Sequence, residues 1–213
     1  MIYEMQIITF NSRSQALYEQ RLAAALPHRE KLSRLGAAWR TDVGMLNQLI
    51  LVWPYADVAE RDAVKSAEPE LADWPVQGDD CIIEMQSKIW IPAPISPPLE
   101  PAQLGNCYEI RTYQYPPGSI PKVIETWDEI APERMKMSPL VGAWYSDIGP
   151  LNEWIHIWAY KDQGERERIR AAASKAGIWP PSVVDKRLNR EPRAVTVRMQ
   201  NMLVVPTPFS PLR

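Results

Sequence analysis

A single α+β unit, used twice and fused head to tail, is the fold class that this 213-residue sequence predicts. Three observations predict it. Identities recur along the chain at one fixed spacing, each copy reads as strand, helix, strand, strand, helix, strand, and a proline-rich stretch separates the copies. That order, βαββαβ, is the ferredoxin-like or split βαβ arrangement. One face of such a sheet carries both helices, and the other is left bare. Two sheets packed face to face cover each other, so an internal dimer with a barrel-like interior is expected.

The repeat is the firmest signal. Tyr3-Glu4 returns as Tyr108-Glu109, a shift of 105. The same shift carries Pro27 and Arg29 onto Pro132 and Arg134, and Ala38-Trp39 onto Ala143-Trp144. It carries Asp42 and Gly44 onto Asp147 and Gly149, and Leu46-Asn47 onto Leu151-Asn152. Trp53 and Tyr55 fall on Trp158 and Tyr160, Arg61 on Arg166, and Trp74-Pro75 on Trp179-Pro180. Chance does not hold one register over so long a span. The shift then becomes 114, with Met85-Gln86 on Met199-Gln200, so the second copy holds nine more residues (114 − 105) before its last strand. The first repeat is placed at residues 1–95, a stiff Pro-rich linker at 96–105, and the second repeat at 106–213.

Each copy opens with a strand, at residues 2–9 and 107–114. A helix follows. Ile120, Val123, Ile124, Trp127, Ile130 and Ala131 keep helical spacing, as do Tyr18, Leu22, Ala25 and Leu26 in the first copy. Ser119 and Pro121 suit a helix start, and Pro27 and Pro132 are expected to end or kink these helices. A hairpin comes next, with turns at Gly44 and at Gly149-Pro150. Asp57 and Asp162 then read as helix caps, each with Glu three residues later (Glu60, Glu165), a capping-box pattern. A last strand closes each unit.

Composition narrows the function classes. An apolar fraction of 46%, a charged fraction of 23% and a net charge of −2 describe an ordinary globular chain with no general attraction to nucleic acid. No apolar run approaches the length of a membrane span. The first residues read as a strand rather than a leader, so the expected location is the cytoplasm. Two cysteines and two histidines offer neither a disulfide framework nor a metal site, and no cofactor motif is present.

The chemistry-bearing residues concentrate in the second copy. Along its third strand Asn152, Trp154, His156, Trp158 and Tyr160 alternate with Glu153, Ile155, Ile157 and Ala159. The Ile-rich face is expected to meet the helices, and the aromatic face to line the space between the sheets. Glu109 and Arg111 share a face of the neighbouring strand and are expected beside His156. The first copy has Leu51 in place of His156 and Leu49 in place of Trp154, so a site should be asymmetric. His156 is the candidate acid or base, because imidazole transfers protons near neutral pH, with Asn152 to polarise an oxygen. The candidate ligand-binding residues are Trp144, Trp154, Trp158, Tyr160, Glu109 and Arg111. The plainer readings are a hydrogen-bonded core histidine, a turn asparagine and core tryptophans. The run Glu165-Arg166-Glu167-Arg168 reads as a solvated helix face.

The second copy resembles the NIPSNAP family. The residues that carry the likeness are Tyr108-Glu109-Ile110-Arg111-Thr112-Tyr113, Pro117-Gly118, Val141-Gly142-Ala143-Trp144, Asp147-Ile148-Gly149-Pro150-Leu151-Asn152, His156-Ile157-Trp158-Ala159-Tyr160 and Arg166. The first copy resembles a diverged member that lacks the histidine. The resemblance implies a dimeric α+β barrel. Its wider fold group includes cofactor-free monooxygenases of aromatic polyketides, haem-degrading monooxygenases and small isomerases. The expected function is therefore binding of a small apolar or aromatic molecule in the barrel interior, with a cofactor-free monooxygenase or isomerase as the reaction class. The alternative is a non-enzymatic oligomeric scaffold or protein-interaction module. Homo-oligomers are expected in either case.

Overall fold

A computed structural model describes residues 1–213. The first repeat runs through β1 (Ile2–Phe10), α1 (Gln15–Arg29), β2 (Ala37–Val43), β3 (Gln48–Tyr55), α2 (Val58–Ala67) and β4 (Ile82–Pro92). The second runs through β5 (Cys107–Gln114), α3 (Ile120–Met135), β6 (Leu140–Ile148), β7 (Glu153–Tyr160), α4 (Gln163–Lys175), α5 (Pro181–Arg187) and β8 (Arg198–Pro206). The strands form one closed barrel in the order β1-β3-β2-β8-β5-β7-β6-β4. Each repeat keeps its own four-stranded sheet, and antiparallel pairs β2–β8 and β4–β6 join the two. The sheets thus meet at their edges as well as across the interior, which leaves few unpaired strand edges.

Local sequence sets the elements as read. Asp57 and Asp162 accept hydrogen bonds from Glu60 N (2.9 Å) and Glu165 N (2.7 Å), which closes the first turns of α2 and α4. Asn47 and Asn152 take left-handed backbone (φ +58° and +61°), a conformation asparagine tolerates, at the hairpin tips. Pro27 and Pro132 sit inside α1 and α3, and each helix ends two or three residues later at Arg29 and Met135. Ser119 precedes α3 without a capping side-chain bond. The second repeat's longer connection holds α5, and its last strand starts at Arg198. No helix is long and apolar enough to cross a membrane.

Three apolar clusters fill the molecule. The barrel interior holds Met5, Trp39, Ile50, Trp90, Ile110, Trp144, Ile155, Ile157 and Val204 among others. One end of it is plugged by Leu99 of the inter-repeat segment and Leu212 of the C-terminal tail, with Ala102 and Leu104 packed against them. The segment between repeats is held down: Leu99 N donates to Tyr3 OH at 3.2 Å, and Arg34 pairs with Glu100 at 2.7 Å. The other two clusters lie between sheet and helices, one per repeat.

This layering reverses the expected facing of the third strand. Ile155, Ile157 and Ala159 point into the barrel, and Trp154, Trp158 and Tyr160 lie under the helices. His156, Glu109 and Arg111 share that outer face, because side chains alternate and these residues are in register with them. Trp144 alone of the candidate ligand residues is in the interior cluster. The reason is polarity. The interior takes Ile155, Ile157 and Ala159 among apolar and ring side chains such as Trp39, Trp90 and Trp144, whereas the outer layer has long partners on α3 and α4 to meet the carboxylate, the imidazole and the tyrosine hydroxyl.

Candidate functional site

The outer face of β5 and β7 in the second repeat gathers the candidate polar groups. Cross-strand pairing sets Glu109 beside Trp158, Arg111 beside His156 and Tyr113 beside Trp154. Over this floor α3 lays Trp127 and Arg134, α4 lays Arg166 and Arg170, and the segment after α4 adds Trp179.

Glu109 is fully buried and is the anchor of the cluster. Its carboxylate takes Arg166 Nη2 at 2.6 Å, Arg111 Nη1 at 3.0 Å and Arg170 Nη1 at 3.1 Å, and the Tyr160 hydroxyl donates to it at 3.4 Å. Burial would raise its pKa. The Arg166 hydrogen bond and the charges of Arg170, Arg166 and Arg111 outweigh burial and hold it below the ordinary glutamate value. Arg134 is also fully buried. It donates to Tyr160 OH at 2.9 Å and Ser138 Oγ at 2.7 Å, and its guanidinium sits 4.3 Å from the centre of the Trp158 ring.

His156 is enclosed by aromatic rings. Trp127 lies 4.8 Å and Tyr113 5.1 Å away, centre to centre. Trp158 Nε1 donates to His156 Nδ1 at 3.0 Å, so the neutral ring carries its proton on Nε2, and that N–H has no acceptor. Burial first, and then the charges of Arg111, Arg170 and Arg134, push its pKa well below the usual 6.5. The imidazole is therefore a neutral N–H donor whose lone pair is already engaged.

The remaining candidates are elsewhere. Asn152 precedes β7 at the hairpin tip, where its carbonyl accepts from Tyr115 N at 2.9 Å, and it is not gathered into the cluster. Trp144 stacks on Tyr3 inside the barrel at 4.5 Å and donates from Nε1 to Ser96 Oγ at 3.0 Å. Nowhere do three His, Cys, Asp or Glu side chains converge to hold a metal ion.

Four members of the cluster were not expected: Trp127, Arg134, Arg170 and Trp179. Arg134 and Trp179 were marked by the repeat, since Arg29 and Trp74 occupy the same places. In the first repeat Arg29 sits 4.3 Å over Trp53 and donates to Tyr55 OH at 3.0 Å, the same construction. Arg166 belongs to this layer and corrects its reading as part of a solvated face. Arg170, one helical turn further on, shares its side of α4.

A second feature lies on the opposite face of the sheet. At the end of the barrel away from Leu99 and Leu212, a cavity of about 100 Å³ is lined by Met5, Ile7, Ile50, Trp90, Ile110, Ile155 and Met202, with Gln86, Lys88, Thr112 and Gln200 as its polar members. The Trp90 indole N–H is buried there without an acceptor.

Comparison with known proteins finds relatives of the chain as a whole. The NIPSNAP family profile matches the chain twice, over residues 3–97 and 108–211. A NipSnap homolog of Dictyostelium discoideum is 30% identical over 161 residues, covering 71% of this chain and 68% of that protein. NipSnap homolog 2 of Homo sapiens is 24% identical, covering 100% of this chain and 75% of its own length. Among solved structures, a NIPSNAP family protein of unknown function from Agrobacterium tumefaciens is 31% identical, covering 54% of this chain and 99% of that one, with a TM-score of 0.43. A candidate monooxygenase from Lactobacillus acidophilus covers 96% of this chain and 92% of its own at a TM-score of 0.62, with 9% identity, which is a likeness of fold alone.

Proposed function

The chain belongs to the NIPSNAP family, and we propose that it binds a small apolar or aromatic molecule through the open end of its barrel. The carrying observation is the cavity of about 100 Å³ walled by Met, Ile and Trp side chains of both sheets; the hollow of about 220 Å³ beside Leu99 and Leu212 is walled instead by the inter-repeat segment, the C-terminal tail and the start of β6. An engineered apolar cavity of roughly 150 Å³ takes up benzene. A cavity of this size that opens at its rim suits one ring with its substituents projecting outward. Trp90 Nε1–H offers a hydrogen bond to a ligand oxygen, and Gln86, Thr112 and Gln200 offer others at the rim.

The proposal stops at binding. Lys88 is the only ionisable group lining the cavity, and it is paired with Glu153 at 3.0 Å. His156 lies on the other side of the sheet. Monooxygenase or isomerase chemistry therefore has no proton-transfer group in this space beyond Lys88.

The test is titration with 1-anilinonaphthalene-8-sulfonate and with 1-naphthol, read by probe fluorescence and calorimetry. Thr112→Trp places a ring across the rim and should abolish saturable binding while leaving the melting temperature near that of wild type. Unaltered binding in a folded Thr112→Trp protein would move the ligand elsewhere and defeat the proposal.

A second reading, self-association, has its own supporting observation. Residues 82–88 of β4 pair only with β1, and residues 198–202 of β8 only with β5. Ile83, Met85, Val197 and Met199 are exposed on or beside these free edges, and Met45 and Leu46 are exposed at one hairpin tip. Such edges invite pairing with a second copy. Sedimentation would show an oligomer that Met85→Lys with Met199→Lys dissociates. A wild-type monomer at all concentrations would remove this reading.

A further inference from the structure

We infer that the second repeat binds a small oxyanion, a carboxylate or phosphate group, at the guanidinium groups of Arg111, Arg166 and Arg170, with Arg134 behind them. This site is separate from the barrel cavity, because the sheet lies between them.

Charge balance between the repeats points to it. The first repeat's equivalent layer has Glu4 bound by Arg61 at 2.7 Å, and Arg29 bound by Glu68 at 2.7 Å, with Lys65 at 3.4 Å from Glu68. That is three cations to two carboxylates. In the second repeat Glu109 stands alone against Arg111, Arg134, Arg166 and Arg170, so four cations face one carboxylate. The difference has two sources in the 105-residue register. Gln6 becomes Arg111 (6 + 105), and Glu68 becomes Ala173 (68 + 105). The carboxylate that Arg29 Nε donates to is missing, and Arg134 Nε, fully buried, has no partner.

Leaving guanidinium groups half-buried without counter-charge is unfavourable, and a bound anion relieves it. The donors for that anion are present. Arg111 Nη2, Arg166 Nη1 and Arg170 Nη2 make no hydrogen bond within the chain. Their side chains are 17%, 17% and 30% exposed, so the group is reached from solvent. Planar guanidinium forks match the paired oxygens of a carboxylate or phosphate. Arg111 is fixed for this by its Nε–H, which donates to Tyr113 OH at 2.7 Å. An aromatic ring attached to the anion would meet Tyr113.

The test is calorimetric titration of the full chain with inorganic phosphate and, separately, with benzoate, each against chloride at matched ionic strength. Saturable one-to-one binding of either supports the site, and the tighter of the two identifies the class. Arg111→Gln restores the first repeat's own residue and should weaken binding at least tenfold. Arg170→Gln, on a more exposed side chain, should do the same if the first variant folds poorly. Arg21→Gln, which breaks the exposed Arg21–Asp80 pair of the first repeat, should change nothing. No saturable binding of either anion, or equal weakening in all three variants, would overturn the inference.

Discussion

His156 makes stability depend on pH in a way that can be isolated. In the folded chain its pKa is depressed, by burial first and then by Arg111, Arg170 and Arg134, so the imidazole stays neutral as the solution is acidified. In the unfolded chain it protonates at its ordinary value of 6.5. Below pH 6.5 the unfolded state thus holds one more proton than the folded state, and stability falls with falling pH. The slope is at most about 1.4 kcal/mol per pH unit for a single proton, so acidification to pH 5 costs no more than about 2 kcal/mol from this group. Above pH 6.5 both states are neutral and the contribution is flat. His156→Leu, which installs the residue of the first repeat, removes the linkage. At pH 7 two effects offset. The substitution deletes a buried Nε2–H with no acceptor, and it strands the Trp158 N–H that His156 Nδ1 accepts. Each is worth about 1–3 kcal/mol, so the variant should lie within about 1 kcal/mol of wild type. Urea unfolding of both proteins at pH 7, 6 and 5 gives the difference curve, in which carboxylates common to both cancel. The variant should gain on wild type steadily from pH 7 to pH 5, by up to about 2 kcal/mol. Parallel curves would mean that the imidazole titrates alike in both states, and the enclosed, cation-flanked ring described above would be wrong.

Two further outcomes follow from the same layer. Trp127 is buried against Trp154, His156, Trp158 and Trp179, so Trp127→Ala should cost about 3–5 kcal/mol in urea unfolding, as for other large core truncations. Glu109→Gln removes the sole carboxylate beneath three arginines, whereas Glu4→Gln removes one that Arg61 and Ser87 share. The melting temperature should therefore fall further for Glu109→Gln, and added phosphate should raise it more in the Glu109 variant than in wild type or the Glu4 variant.

The repeat register carried the architecture. It located the capped helices at Asp57 and Asp162, the asparagine hairpin tips and the pairing of one βαββαβ unit with another, because each depends on local sequence or on the need to bury an apolar face. The direction in which a strand faces depends on something else. Alternation on β7 separates Trp154, His156, Trp158 and Tyr160 from Ile155, Ile157 and Ala159, but both sets are buried, and no polar-against-apolar contrast says which meets the helices. The deciding information was on α3 and α4. Trp127, Arg134, Arg166 and Arg170 are long side chains on helices, and they need a partner layer of rings, hydroxyls and a carboxylate. Only the aromatic face of the sheet supplies one. The shift of 105 had already aligned Arg29 with Arg134 and Glu4 with Glu109. Retained charged residues on a strand and on a helix, at matching places in both copies, are a sign that the two elements face each other.

Fusion of the repeats explains why the two layers differ. In a dimer of identical chains, any substitution appears twice, so a charge surplus gained on one side is gained on both. A tandem chain lets one copy keep the balanced, closed version while the other departs from it. The first repeat kept Glu68 opposite Arg29, and leucines at positions 49 and 51. The second exchanged these for Ala173, Trp154 and His156 and added Arg111. Each exchange trades a satisfied or apolar contact for an unpartnered donor: Arg134 Nε, Trp154 Nε1 and His156 Nε2 are all buried without acceptors. Leaving one such donor unmet costs about 1–3 kcal/mol, so three together are a stability burden that packing alone gives no reason to carry. The first repeat's equivalent layer leaves Glu4 Oε2 and Arg61 Nε unmet, an acceptor beside a donor, whereas the second leaves donors alone, which is the arrangement that a negatively charged ligand answers.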